Sequence, residues 1–170
     1  MTILAFIIYN FIWLLITPFI PLYLLKRVLK NKGELAKIYN RFGFIKRKNS
    51  SKKLVYIHVA SVGEVRSVFY LIDKLLLQNF AVHVTIMTNA GYEIVWNNFH
   101  KRDGFSVSFA PFDMLNVVLF FLNSIRPIKV IFVASEIWPN LLFASYILTK
   151  NNVYLVNAIM SANNVLRWNN

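Results

Sequence analysis

Five strand-length apolar runs, alternating with segments long enough to form helices, constrain the fold of this chain more than any other feature. Each run is rich in β-branched and aromatic residues and is bounded by polar residues, Gly or Pro. The runs are LVYIHVA at 54–60, AVHVTIMT at 81–88, FSVSFAP at 105–111, KVIFVAS at 129–135 and VYLVNAI at 153–159. The intervening segments predict helices at about 65–78, 91–99, 113–124 and 139–150, with Asp113 as the N-cap of the third. We therefore predict an α/β fold in which helices cover both faces of a parallel sheet.

An uncharged, mostly apolar stretch at residues 3–25 precedes this pattern. A helix of about 20 apolar residues crosses a hydrocarbon core of about 30 Å, so the stretch predicts an N-terminal membrane helix. The short basic start and the small-residue cleavage site of a cleaved signal peptide are not found in the sequence. Pro18 and Pro21 leave two geometries open, a kinked span and a hairpin that lies in one leaflet.

The basic residues are concentrated directly after that stretch. The formal net charge is +12, and a net +10 falls between Lys26 and Lys53. Basic residues beside an apolar segment predict that this side faces the cytoplasm, and they attract anionic lipid headgroups. A solvated linker whose charges only set topology is the alternative, and neither interpretation calls for nucleic acid as a partner. The predicted parts are a membrane anchor at 1–25, a basic juxtamembrane segment at 26–53 and a globular domain at 54–170.

Two acidic residues follow predicted strands at positions where a ligand is expected. In open parallel sheets, ligands bind beyond the carboxyl ends of the strands, where the strand-to-helix loops collect. Glu64 follows the first strand and Glu136 follows the fourth. Partial loss of hydration beside a buried strand suits a carboxyl group to proton transfer, and the two acids could share one crevice. The alternative for each is a helix cap, because the helix dipole favours an acid in the first turn.

Other kinds of site are not indicated. The chain has no Cys, which excludes disulfide scaffolds and Cys-based zinc or redox sites. It contains neither a G-x-G-x-x-G fingerprint nor a P-loop motif. His58, His83 and His100 lack the spacing and the nearby carboxylates of a metal site, so we assign them structural roles. We predict that the protein uses no metal ion and no cofactor.

The loops also resemble those of one enzyme family. The matching motifs are HVASVGE at 58–64, TIMTNAGYE at 85–93, APFD at 110–113, SEIWPNLL at 135–142 and NAIMS at 157–161. In order and spacing they resemble the Kdo (3-deoxy-D-manno-octulosonate) transferases of Gram-negative lipopolysaccharide synthesis. The apolar anchor, the basic residues after it and the R-F-G sequence at 41–43 are similar as well. The SVGE and E-[IL]-W-P-N motifs are specific, and the resemblance covers essentially the whole chain.

The resemblance implies a two-domain glycosyltransferase of the GT-B type. Its Rossmann-like N-terminal domain would bind the lipid A precursor, and a C-terminal domain, which lies beyond this sequence, would bind CMP-Kdo. Glu64 matches the family's general base, which takes the proton of a glucosamine hydroxyl as that oxygen attacks the anomeric carbon of Kdo. Glu136 matches a group that stabilises the transition state. The resemblance also implies a place at the cell inner membrane, with the globular part on the cytoplasmic side.

One position departs from the family's pattern. Ile159 stands where the family usually has Arg, and isoleucine cannot contact a phosphate or a carboxylate. Three hypotheses follow for the chain: the acceptor half of a Kdo transferase, a non-catalytic membrane-anchored module that binds lipid A precursor or a partner protein, and an inactive remnant. We favour the first.

Overall fold

The computed structural model describes residues 3–22, 24–25, 35–45, 51–134 and 138–157. Its helices are α1 (Ile3–Ile16, continued by a 3-10 turn at Thr17–Phe19), α2 (Leu35–Arg41), α3 (Val62–Ser67), α4 (Phe69–Leu77), α5 (Asn89–Phe99), α6 (Leu115–Ile125) and α7 (Pro139–Leu148). Its strands are β1 (Leu54–Val59), β2 (Ala81–Ile86), β3 (Phe105–Phe109), β4 (Lys129–Val133) and β5 (Val153–Val156). Glu136, Ile159 and most of the basic block between residues 26 and 53 lie outside the described residues.

The strands form one parallel sheet in the order β3-β2-β1-β4-β5, which confirms the predicted Rossmann-like α/β architecture. Every residue of β1 and of β2 is buried, as expected for strands covered on both faces. The chain moves outward from β1 through β2 to β3 and then returns to the other side of β1 with β4. The strand order therefore reverses between β1 and β4.

Alternate residues of β1 supply two separate cores. Val55, Ile57 and Val59 pack with residues of α3, α4 and α5 on one face of the sheet. Leu54 and Tyr56 pack with residues of α6 and α7 on the other face. The domain is thus a three-layer sandwich, and its interior fixes the carboxyl ends of the strands.

The first predicted helix, 65–78, is wrong in its start and in its continuity. The structure has two helices there, and the chain breaks at Val68, whose φ is −101° and ψ is 0°. Val68 and Val65 are both buried, and the break lets each of the two short helices turn an apolar side toward the sheet. The start at Val62 also lies earlier than predicted, because Ser61 caps the helix.

The predicted role of Asp113 as the N-cap of its own helix is also wrong. That helix, α6, begins at Leu115 after Met114, which makes no side-chain cap. The Asp113 carboxylate instead accepts hydrogen bonds from the backbone amides of Asn140 (3.0 Å) and Leu141 (2.8 Å), at the start of α7. It caps a helix distant in sequence, since the loop after β3 lies beside that helix's first turn.

The described residues include one helix, Ile3–Leu22, that is long and apolar enough to cross a membrane, judged by length and composition alone. Nearly all of its residues are partly or fully exposed. One side of it rests on the domain, as described below.

Candidate active site

The candidate site lies at the carboxyl ends of the neighbouring strands β1 and β4. The helices that follow these two neighbours, α3 and α7, pack on opposite faces of the sheet. In an open parallel sheet, a crevice is expected at the point where the strand order reverses in this way. Glu64 lies in the first turn of α3, the helix that follows β1. The segment after β4 carries Glu136, which lies outside the described residues.

Glu64 closes a reciprocal cap at the start of α3. Its Oε2 accepts hydrogen bonds from the backbone amides of Ala60 (2.7 Å) and Ser61 (3.3 Å), while Ser61 Oγ accepts one from the Glu64 amide (3.4 Å). The sequence S-x-x-E encodes this capping box. Glu64 therefore caps the helix through its Oε2, as the helix-cap alternative predicted. Its Oε1 has no hydrogen-bond partner within the described part of the chain.

Gly63 lies next to this carboxylate and leaves space around itself. A Cβ added there would meet no heavy atom within 4 Å, and its φ is not in the left-handed region. Gly91 is the opposite case, because its added Cβ would lie 2.9 Å from Ile86 Cγ2. Packing among the described residues explains the glycine at 91 and gives no reason for the glycine at 63.

Arg41 joins the R-F-G segment to the same edge of the sheet. Its guanidinium donates to the carbonyl oxygens of Met87 and Ala110, both at 3.0 Å, and lies 5.5 Å from the ring centroid of Phe109. These acceptors follow the carboxyl ends of β2 and β3. The sequence placed Arg41 in the basic juxtamembrane segment, with lipid contact and a solvated linker as the two interpretations, and neither interpretation included this structural role. The R-F-G motif carried the signal, because its glycine marks a turn, and in the structure Gly43 has a φ of +84°.

A polar cluster centred on Asp113 lies at the start of α7. Asp113 is 1% exposed and, besides the two amides of α7, accepts a hydrogen bond of 2.8 Å from the Tyr9 hydroxyl. Asn140 Nδ2 donates to the Asp113 carbonyl oxygen at 2.6 Å. Burial raises the pKa of Asp113, and the hydrogen bonds from Asn140, Tyr9 and Leu141 act in the opposite direction. The cluster ties α1, the loop after β3 and α7 together.

An apolar groove of about 960 Å³ runs beside the edge strand β3. The rings of Tyr92, Trp96 and His100 stack along one side of it, with interplanar angles of 10° and 15°. The described residues that line it come from α2 and the turn after it, β3, α5 and α6, and none comes from the Glu64 loop. The groove is therefore separate from the crevice.

His58 is a buried residue of β1. Its Nδ1 lies 2.8 Å from Thr85 Oγ1, and its Nε2 has no partner among the described residues. Burial, with a smaller contribution from the positive charge of Arg41, lowers the pKa of His58 to about 3. No group of three potential ligands for a metal ion occurs in the described ranges. His58 is thus a neutral core residue with a structural hydrogen bond.

The burial of His58 predicts acid sensitivity. Below about pH 6.5 the unfolded chain binds a proton at His58 that the folded chain does not bind. The free energy of unfolding is therefore expected to fall by up to about 1.4 kcal/mol per pH unit between pH 6.5 and 3. His58→Leu should flatten this slope. Denaturant titration of both proteins in detergent at several pH values measures it, and equal slopes would contradict the assignment.

The structure is an α/β domain with Glu64 at the carboxyl edge of its parallel sheet. A sequence model described as "3-Deoxy-D-manno-octulosonic-acid transferase (kdotransferase)" matches residues 36–170. The chain belongs to this Kdo transferase family.

Individual relatives agree with the family match. The chain is 28% identical over 163 residues to a 3-deoxy-D-manno-octulosonic acid transferase of Rickettsia bellii, covering 95% of this chain and 38% of that protein. It is 26% identical over 155 residues to a probable mitochondrial 3-deoxy-D-manno-octulosonic acid transferase of Arabidopsis thaliana, covering 90% of this chain and 34% of that protein. The chain thus spans somewhat more than a third of the length of these relatives.

Proposed function

We propose that this chain is the acceptor-binding part of a glycosyltransferase that moves Kdo from CMP-Kdo to a lipid A precursor. The observation that supports it most is the position of Glu64, the acid of the SVGE motif, beside the crevice between β1 and β4 in a member of this family. The donor would bind to a second domain of the GT-B type. The crevice would then become the cleft between the two domains.

Glu64 is proposed to be the general base. Its Oε2 is held by the amides of Ala60 and Ser61, which fixes the side chain in one orientation. Its Oε1 would accept the proton of the glucosamine hydroxyl as that oxygen forms a bond to the anomeric carbon of Kdo. The bond from that carbon to the phosphate oxygen breaks, and CMP leaves with its electron pair. The capping box would orient the base before the acceptor binds.

Glu136 is proposed to stabilise the transition state. It follows β4, the immediate neighbour of β1, so both acids follow adjacent strands at one edge of the sheet. A carboxylate beside the anomeric carbon favours the positive charge that develops there as the leaving group departs. The two acids would thus divide the chemistry, with one taking the proton and the other stabilising the charge.

We place the protein at the inner membrane, with the domain on the cytoplasmic side. The apolar helix Ile3–Leu22 and the basic residues after it support this location, because they combine burial in lipid with attraction to anionic headgroups. A lipid A precursor is itself an amphiphile of the membrane. Membrane attachment would therefore bring the crevice to its acceptor.

The test of the proposal is a transfer assay. Membranes that contain this chain together with a CMP-Kdo-binding domain are supplied with CMP-Kdo and lipid A precursor, and the lipid product is identified by mass spectrometry. We expect the precursor to gain Kdo, and the donor-binding domain without this chain should give no product. Binding of the precursor without any transfer would favour the non-catalytic membrane-anchored module instead.

Gly63 provides a prediction about the space beside the base. Gly63→Ala should leave the melting temperature unchanged or slightly raised, because its Cβ meets nothing within 4 Å. The rate of Kdo transfer should fall at least about tenfold, because the methyl group would lie where the acceptor is proposed to bind next to Glu64. Gly91→Ala is the matched control and should lower the melting temperature, since its Cβ would lie 2.9 Å from Ile86 Cγ2. Undiminished transfer by the Gly63 variant would contradict the assignment.

A further inference from the structure

Helix α1 has one face that contacts the domain and a wider face that does not. Phe6, Tyr9, Asn10 and Trp13 are the half-buried residues of the helix, and their spacing places them on one stripe. The intervening residues are large, apolar and exposed: Ile3, Leu4, Ile7, Ile8, Phe11, Ile12, Leu14, Leu15 and Ile16. We call these nine residues the outer face. The helix is therefore sided, although nearly all its residues are apolar.

The contacting stripe is attached by specific polar bonds. Tyr9 donates to Asp113 Oδ2 at 2.8 Å, and Asn10 and Asn140 exchange two amide hydrogen bonds of 3.1 and 3.0 Å. Asp113 and Asn140 are both buried, and Asn140 is the second residue of helix α7. These bonds fix both the rotation and the position of α1 along the domain.

Ring contacts extend the attachment on both sides of these bonds. Phe6 packs on Phe143 of α7 with ring centroids 4.9 Å apart, and Trp13 lies 6.3 Å from Phe112. Further along the helical segment, Ile20 is buried. The helix is thus held side-on against the domain over most of its length.

This attachment is incompatible with a helix that crosses the bilayer. The middle turns of a spanning helix lie in the hydrocarbon core. The middle turns of α1 contact Asp113 and Asn140, so spanning would draw a buried carboxylate and the first turn of α7 into the same core. Polar groups at that depth are costly, and the domain around them would have to follow.

We infer that α1 lies in the plane of a single leaflet, with its contacting stripe on the domain and its outer face among the acyl chains. Phe143 and Ile147, one turn apart on α7, are exposed beside the Phe6 contact and extend the apolar surface. The inference deepens the proposed membrane location and does not depend on the proposed reaction. Of the two geometries that Pro18 and Pro21 left open, it excludes the kinked span and agrees with the hairpin in placing the segment within one leaflet.

A lipid leaflet is the occupant that the outer face fits best. The outer face contains only Ile, Leu and a single Phe, without the polar rim or the Tyr, Trp, Met and Arg residues typical of protein interfaces. The chain directly after the helix carries a net charge of +10 between Lys26 and Lys53, suited to anionic headgroups. An apolar face beside a basic segment therefore fits a lipid leaflet better than it fits a second protein.

The in-plane position has a consequence for the crevice. Asp113 follows the carboxyl end of β3, and Asn140 lies in the first turn of the helix after β4. Helix α1 therefore attaches at the edge of the sheet where the Glu64 loop also lies. The leaflet surface and the crevice would be neighbours, so a lipid-linked acceptor would need to rise only to the level of the headgroups.

Spin-label depth measurements test the inference directly. The chain has no Cys, so single cysteines can be placed at each position from 3 to 17 of the full chain. The labelled proteins are bound to vesicles of phosphatidylethanolamine and phosphatidylglycerol, and accessibility to oxygen and to a water-soluble nickel complex gives depth. We expect the depth of the spin label in the bilayer to rise and fall with the helical repeat and to be similar at Leu4, Phe11 and Leu15. Depth that changes steadily along the chain, with Ile3 reached by a reagent trapped inside the vesicles, would overturn it.

Binding of paired variants gives an independent measurement. Phe11→Asp with Leu15→Asp should weaken vesicle binding by about tenfold or more, because two apolar side chains that enter the acyl region are replaced by charged ones that are unfavourable there. Tyr70→Asp with Leu77→Asp is the control, with similar exposed apolar residues on α4, across the sheet from α7. The control should bind as the unmodified chain does, and circular dichroism should show that both pairs are folded. Equal binding by both pairs, or a dimer in detergent that shields the outer-face labels without lipid, would contradict the inference.

Discussion

Glu64→Gln is expected to abolish Kdo transfer by the complete two-domain enzyme while leaving its fold intact. The glutamine carbonyl oxygen can still accept the hydrogen bonds of the Ala60 and Ser61 amides, so the cap of α3 is retained. The amide cannot take the proton of the acceptor hydroxyl. Loss of a positioned general base lowers turnover by about 10²- to 10⁴-fold. Turnover is measured with saturating CMP-Kdo and lipid A precursor, and the melting temperature is measured beside it.

A matched carboxylate separates the base from the general effect of removing a charge. Glu93 lies in α5, after the carboxyl end of β2, and its side chain is exposed. Glu93→Gln should transfer Kdo at the rate of the unmodified enzyme. If Glu64→Gln retained a rate within a few-fold of that control, Glu64 would be only a helix cap and the mechanism would fail.

Asp113→Ala is expected to cause a large loss of stability. The change leaves the amides of Asn140 and Leu141 without their acceptor and removes the partner of the Tyr9 hydroxyl. Buried donors without partners cost about 1 to 3 kcal/mol each, so the free energy of unfolding should fall by about 3 kcal/mol or more. Denaturant titration in detergent measures the loss.

The control for Asp113 is Asp73, an acid in a solvent-accessible ion pair. Asp73 forms a 2.7 Å ion pair with Arg102, with roughly two fifths of each side chain open to solvent. Because exposed pairs contribute little, Asp73→Ala should change the free energy of unfolding by less than about 1 kcal/mol. Similar losses for the Asp73 and Asp113 variants would show that the buried cluster does not hold α1 and α7 together.

The raised pKa of Asp113 adds a pH dependence of defined sign. The folded protein holds the Asp113 proton more tightly than the unfolded chain, whose pKa is the ordinary 3.8. The contribution of Asp113 to stability therefore falls as the pH rises from that value toward the folded pKa. Asp113→Asn does not titrate, so its destabilisation relative to the unmodified protein should be larger near pH 4 than at pH 7. The opposite trend would show that the hydrogen bonds, rather than burial, dominate the pKa.

The sheet could be predicted from sequence because its signal is local. Strands such as β1 and β2, which are buried on both faces, are mostly apolar runs. Each of the five runs begins where the structure begins its strand, at residues 54, 81, 105, 129 and 153. The runs extend one to three residues beyond the observed ends, since apolar residues continue into the loops. The resemblance of the loop motifs predicted the family, and the family match confirms it.

Contacts between distant parts of the chain could not be predicted in this way. Asp113 precedes a helix and has the chemistry of an N-cap, but its partners are the amides of α7, which only the folded topology brings near. Nothing local marks the break at Val68. The docking of α1 did leave a signal, because Tyr9 and Asn10 are polar residues within an apolar helix and lie on one stripe with Phe6 and Trp13.

The most direct test of the account is the structure of the two-domain enzyme with its lipid A precursor bound. We expect the glucosamine hydroxyl that receives Kdo to lie about 3 Å from Oε1 of Glu64, within hydrogen-bond reach, while Oε2 keeps its bonds to the Ala60 and Ser61 amides. An acceptor hydroxyl positioned over another side chain, with Glu64 out of its reach, would contradict the central claim.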